Sequence, residues 1–303
     1  MAFAWKGVFP ALLTPFTADD RLDLDLFKRN LDAQITAGVH GVILGGTLGE
    51  ASVLSIEEKE SLVKFAVANS QGLPVVLNIA EGSTREAVRQ AELAGAWGAA
   101  GLMLLPPMRY KSDHRETVMY FKTIAAATEL PIMIYNNPVD YKIEVTLDMF
   151  DELQACANIT AVKESTRDVT NVTRMHNRFG TRYAILCGVD TLALEEFCLG
   201  ADGWVAGLVD AFPAETVAIF RLAKAGRIEE ARAIYRWFMP LLELDIHPKL
   251  VQYIKLAAAA TGIGSEQVRA PRLPLEGEER QRVQGIIDTG LRTRPTLPDY
   301  LSL

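Results

Sequence analysis

Pro131-Ile-Met-Ile-Tyr135-Asn136-Asn137-Pro138 and Ile159-Thr-Ala-Val-Lys163-Glu164-Ser165 contain two short apolar runs, each closed by a side chain able to do chemistry, with a longer segment between them. Runs that stay apolar at consecutive positions suit strands buried on both faces of a parallel sheet, whereas a half-solvated antiparallel strand would alternate. Outward from this pair the unit repeats. Runs rich in Val, Ile and Leu fall at 8–13, 41–44, 74–78, 101–104, 131–135, 159–163, 183–187 and 203–205, with segments of helical period between them. Two of those segments open on Ser55-Ile-Glu-Glu58 and Ser83-Thr-Arg-Glu86, which read as capping boxes. Eight strands alternating with helices predict the α/β class and a (β/α)8 TIM barrel, because an open doubly wound sheet usually stops near six strands. The barrel, a catalytic domain, is expected over 1–225, and a helical extension over 226–303, with helices at 228–238, 248–261 and 277–293 punctuated by Pro240, Pro248, Pro271 and Pro274.

The 303 residues carry 31 Lys and Arg against 38 Asp and Glu, a net charge of −7. That balance argues against nucleic-acid or anionic-membrane surfaces, whose affinity comes from basic side chains, and favours a small-molecule partner. The longest uncharged run, 93–108, falls short of the ~20 apolar residues that span a bilayer. The first residues lack a basic segment followed by a small-residue cleavage site, so a cytoplasmic location is expected. Cys156, Cys187 and Cys198 form no CxxC pair and read as buried small hydrophobes; His40, His114, His176 and His247 show no ligand spacing. Neither a metal nor a cofactor is expected. Trp237, Phe238 and 241–244 read as the apolar face that packs the extension onto the barrel.

Active sites of such barrels lie at the C-terminal ends of the strands, so a polar residue closing an apolar run is informative. Lys163 is one: desolvation there disfavours the ammonium and leaves an amine able to attack a carbonyl or imine. Tyr135 ends the preceding strand, beside it, and a phenol near an iminium can move protons. Gly45-Gly46-Thr47-Leu48-Gly49-Glu50 follows the second strand; its glycines let backbone N–H groups face a carboxylate and Thr47 adds a hydroxyl. Taken singly, a strand-end Lys reaches solvent and a strand-end Tyr is core; together the three make a coherent Schiff-base site.

The chain also resembles the dihydrodipicolinate synthase and N-acetylneuraminate lyase family of lysine-dependent class I lyases. The matching pieces are Gly7-Val8-Phe9-Pro10-Ala11 with Thr14-Pro15-Phe16, Gly46-Thr47-x-Gly49-Glu50, Tyr135-Asn136-x-Pro138, Val162-Lys163-Glu164, Cys187-Gly188-Val189-Asp190 and Arg269-Ala-Pro271-Arg-Leu-Pro274-Leu275. The resemblance implies that Lys163 forms the Schiff base, Tyr135 is the acid/base phenol and Thr47 relays protons beside the substrate carboxylate. It also implies that Gly46, Leu48, Asp140, Tyr110, Gly188 and Val205 line the substrate, and that the protein is a homotetramer built as a dimer of dimers, with residues 106–111 as the tight-dimer contact.

Three departures bear on the substrate. Leu48 stands where the synthases have a second Thr, and Met108 stands where they lend a Tyr across the dimer, leaving that relay absent or rerouted through Tyr110. Asp140 stands where they hold a second carboxylate with an Arg; a carboxylate there suits a hydroxyl or ammonium instead. These departures, with the wording of residues 45–50, 105–111 and 247–255, resemble the branch containing deaminases of 1-pyrroline-4-hydroxy-2-carboxylate in hydroxyproline breakdown. The expected activity is therefore deamination to 2,5-dioxopentanoate and ammonia. Dehydration or aldol cleavage of a 2-keto-3-deoxy sugar acid, then dihydrodipicolinate synthesis, are the alternatives within the mechanism; a non-catalytic sensor or scaffold would have little use for the three site residues together.

Overall fold

The computed structural model describes residues 4–107 and 110–303, so Met108, on which one expectation rests, and Arg109 lie outside the described residues. The eight apolar runs become β1 (Gly7–Pro10), β2 (Val42–Leu44), β3 (Val75–Ile79), β4 (Gly101–Leu104), β5 (Ile132–Asn136), β6 (Ile159–Glu164), β7 (Ala184–Cys187) and β8 (Gly203–Ala206). Nearly every strand residue is buried, as strands with a packed interior on one side and helices on the other require. Neighbours pair in parallel in the order β1-β8-β7-β6-β5-β4-β3-β2, and a parallel bridge between Ala11 and Ile43 joins the two ends into a barrel. β1 ends earlier than its apolar run because the chain turns there: the Leu13 N–H donates to the Asp210 carboxylate at 3.1 Å and not to a strand.

The register sets the site. Tyr135 lies directly opposite Lys163 across the β5–β6 ladder, and Lys163 is opposite Leu186 on β7. After β2, Gly45 takes a left-handed φ of 66° and opens the glycine turn toward the strand ends. The turn is pinned from behind: Thr14 Oγ1 donates to the Gly49 carbonyl at 2.7 Å, and buried Glu50 accepts from Lys255 Nζ at 2.5 Å and from the Arg269 N–H at 3.1 Å. The tail motif thus acts as a clamp. Its Arg269 also bridges Asp20 and Glu58, which ties the extension to the mouth of the barrel.

Beyond residue 226 the described residues form helices and no strand: Ile228–Leu242, Leu250–Ala260 and Gly277–Arg292. Pro240 does not punctuate; it sits inside the last turn of the first of these, which runs four residues past the expected end. Phe238 is fully buried and meets Phe212 edge-on at 5.5 Å, while the Trp237 indole N–H donates to the Gly290 carbonyl at 3.1 Å, so this face does pack the extension. Other expectations need correction. Ser55 and Glu58 form the reciprocal box, but Ser83 supplies only its own half, accepting from the Glu86 N–H at 3.5 Å. Cys187 is buried and Cys156 half-buried, whereas Cys198 is exposed, since it ends the helix Ala193–Cys198 on its solvent side.

Candidate active site

A cleft with about 670 Å³ of empty space, open solvent at its mouth included, lies at the C-terminal ends of the strands and contains both Lys163 and Tyr135. Lys163 is only 7% exposed, and its Nζ lies 4.0 Å from the centre of the Tyr135 ring. Burial lowers its pKa, with the charges of Asp245, Tyr141 and Asp190 pulling the other way. The group is thereby shifted toward the neutral, nucleophilic amine. Asp190 is itself fully committed to structure: it accepts from the Trp204 indole at 2.8 Å, the Leu208 N–H at 2.8 Å and the Gly207 N–H at 3.2 Å.

Burial pushes the Tyr135 phenol up to about 12, although the Asn137 amide donates to its oxygen at 3.3 Å and acts against the rise. At neutral pH the phenol is a proton donor, and it can take a proton only while charge develops beside it. Thr47 reaches the same cleft, and its Oγ1 lies 2.5 Å from the hydroxyl of Tyr141. Tyr141 stands edge-on to Tyr135, ring centres 5.5 Å apart, and burial raises its pKa as well. Two phenols and a hydroxyl are thus gathered beside one amine within a single chain.

Sequence reasoning left the interface relay either absent or rerouted through Tyr110, which is 55% exposed and is not among the residues lining this cleft. It missed Tyr141. The signal was there: Asn137 caps and Pro138 begins a one-turn helix, Pro138–Tyr141, whose last residue swings back over the barrel mouth. Gly46, Leu48, Gly188 and Val205 do line the cleft. Leu48 is 5% exposed and, with Val205, forms an apolar wall. Gly188 has a second reason to be glycine, because a Cβ there would sit 2.6 Å from Lys163 Cγ.

Asp140 also lines the cleft, but not as an isolated anion. Its Oδ2 accepts from the Asn137 amide at 2.7 Å, and Arg167, which follows β6, approaches its Oδ1 at 3.9 Å. Arg167 holds a left-handed φ of 66° and lines the same cleft. The wall thus carries an acid and a base, both partly exposed, so their attraction is screened and a substrate can meet either. Asp245, from the extension, lines the cleft too and was not foreseen. Among the described residues no group of three or more His, Cys, Asp and Glu is arranged to hold a metal ion, and no helix is long and apolar enough to cross a membrane.

An eight-stranded parallel barrel with a buried lysine at the C-terminal mouth suits a Schiff-base lyase, and comparisons with known proteins place this chain in a family of such enzymes. It belongs to the dihydrodipicolinate synthetase family, whose model matches residues 4–289. A 4-hydroxy-tetrahydrodipicolinate synthase of Exiguobacterium sibiricum is 33% identical over 275 residues, covering 89% of this chain and 92% of that protein. One from Methanothrix thermoacetophila is 30% identical over 287 residues, covering 93% and 96%. The solved dihydrodipicolinate synthase of Aquifex aeolicus superposes with a TM-score of 0.89 at 28% identity, covering 94% of this chain and 97% of that one.

Proposed function

We propose that the protein is a lysine Schiff-base enzyme acting on a 2-keto or cyclic 2-imino acid, and that its reaction is the deamination of 1-pyrroline-4-hydroxy-2-carboxylate. The observation that carries the reading is the desolvated Lys163 amine against the Tyr135 ring, 4.0 Å away. Lys163 Nζ attacks the ring imine carbon, C2; the ring C–N bond breaks and the nitrogen leaves C2 as a primary amine on C5. With C2 now an iminium, Tyr135 assists loss of a C3 proton and the C4 hydroxyl departs with a proton as water. The unsaturation moves to C5, where one water releases ammonia, and a second water frees C2 from Lys163. One water is lost and two are consumed, so the net reaction takes up one water and gives 2,5-dioxopentanoate and ammonia. The Gly46–Thr47 end of the cleft supports the substrate carboxylate through N–H and hydroxyl donors, and Asp140 supports a hydroxyl or an amine.

One observation favours a second reading. The Arg167 guanidinium in the cleft wall could hold a second carboxylate, as a condensation of pyruvate with an anionic aldehyde would need, and the relatives named above are synthases. Products separate the readings. The native enzyme should release ammonia from 1-pyrroline-4-hydroxy-2-carboxylate and show negligible condensation of pyruvate with aspartate semialdehyde. Efficient condensation, or dehydration of 2-keto-3-deoxy sugar acids with no ammonia from the pyrroline, would decide against deamination while leaving the lysine chemistry intact.

Assembly as a dimer of dimers belongs to the same reading. Tyr110 is a large hydrophobic residue 55% exposed, and with Pro106, Pro107 and Lys111 it makes up the described part of the expected dimer contact. Light scattering should give the mass of four chains; a monomer at assay concentration would overturn it.

A further inference from the structure

The short turn Glu243–Ile246, between two helices of the extension, lays Asp245 across the mouth of the barrel. Its carboxyl lies directly over Gly207, where a Cβ would come within 2.4 Å of Asp245 Oδ1. Gly207 has a φ of −102°, which any residue can adopt, so its lack of a side chain makes room for this carboxyl and meets no backbone need. Among the described residues, Asp245 makes no hydrogen bond and no ion pair, and burial pushes its pKa well above the usual carboxylate value, with Asp190 and Asp140 adding to the rise and Lys163 and Arg167 opposing it. A half-buried carboxyl without a partner is costly, and one that faces the cleft can be satisfied by whatever enters.

Asp190 cannot serve a substrate, because its oxygens are taken by the Trp204, Gly207 and Leu208 N–H groups. Asp140 is held on one oxygen by Asn137, with Arg167 3.9 Å from the other. Asp245 is thus the acid of the cleft that no donor among the described residues holds. We propose that Asp245 is a specificity-determining residue, its carboxyl receiving a hydroxyl or ammonium borne on the substrate beyond the carbon that joins Lys163. This rests on the Schiff-base reading above and deepens it by naming the substrate class, 2-keto or imino acids with a distal hydrogen-bond donor.

The test reads Schiff-base formation alone. The native enzyme is trapped with borohydride, in separate titrations, by pyruvate and by 4-hydroxy-2-oxopentanoate, which differ in the distal hydroxyl, and the ratio of half-trapping concentrations is measured by intact mass. Asp245→Ala should move that ratio against the hydroxy acid by about fivefold or more, the loss of one hydrogen bond. Gly207→Ala, which leaves the carboxyl in the chain but drives it from its seat, should move it the same way; Asp245→Asn, which keeps an acceptor, should fall between. A common change for both acids would indicate a structural role, and an unmoved ratio would show that the carboxyl does not meet the hydroxyl; either overturns the proposal. If the ratio moves while the native enzyme releases no ammonia from the pyrroline, the deaminase assignment fails and Asp245 stands. If no adduct forms with either acid, the Schiff-base reading falls and Asp245 falls with it.

Discussion

Borohydride added with a 2-keto acid should leave one adduct, on Lys163, and Lys163→Ala should lower turnover by about 10⁴-fold or more, because it removes the nucleophile itself. The fold should survive the change. Lys163 is buried at the edge of an open cleft, so truncation deletes no closed core volume and relieves the desolvation of a cation. The trapping rate should also carry the signature of that burial. Only the neutral amine attacks, so the rate rises as pH climbs through the Lys163 pKa. That pKa is held below the usual lysine value of 10.5, and the midpoint should fall below it. Peptide mapping after trapping settles the site: an adduct on Lys111 or Lys142, or none, would sink the nucleophile assignment. A midpoint in the ordinary lysine range would remove the argument from desolvation.

What made Lys163 and Tyr135 legible is their position. Each closes a run of consecutive apolar residues, and a parallel barrel turns that one-dimensional fact into a three-dimensional one, since strand ends converge on the mouth. The barrel was legible for the same reason, as burial on both faces leaves no alternation to confuse. Arg167 and Asp245 were not legible, because both sit where side-chain direction is set by local backbone and not by periodicity. Arg167 aims into the cleft through a left-handed φ of 66°, a choice its sequence neighbours do not announce. Asp245 arrives from the extension, and its position depends on how that extension is clamped to Glu50 by Lys255 and Arg269. Asp140 does line the cleft, but its neighbour Arg167 was not legible, because it lies in a different loop and pairings between loops leave no spacing to read.

Gly188→Ala should nearly abolish trapping, by about 10²-fold or more, although the glycine contributes no reactive group. An alanine Cβ at this position would lie 2.6 Å from Lys163 Cγ, 2.7 Å from Lys163 Cε and 2.1 Å from Ser165 Oγ. The glycine's φ lies outside the left-handed range, so the substituted backbone is unstrained and the conflict falls wholly on the neighbours. Nor can the backbone retreat, because the Gly188 N–H donates to the Glu164 carbonyl at 2.7 Å and continues the β6–β7 pairing. The lysine stem must therefore leave its path over the Tyr135 ring, and a shift of an ångström is enough to spoil attack on a bound carbonyl. Overpacking of this kind also costs about 1–3 kcal/mol of stability, so a modest fall in Tm should accompany the loss. Gly285→Ala, on the helix Gly277–Arg292 where a Cβ meets nothing within 4 Å, is the matched control and should trap at the native rate. A folded Gly188→Ala enzyme trapping as fast as that control would show that the lysine does not need the space this glycine leaves.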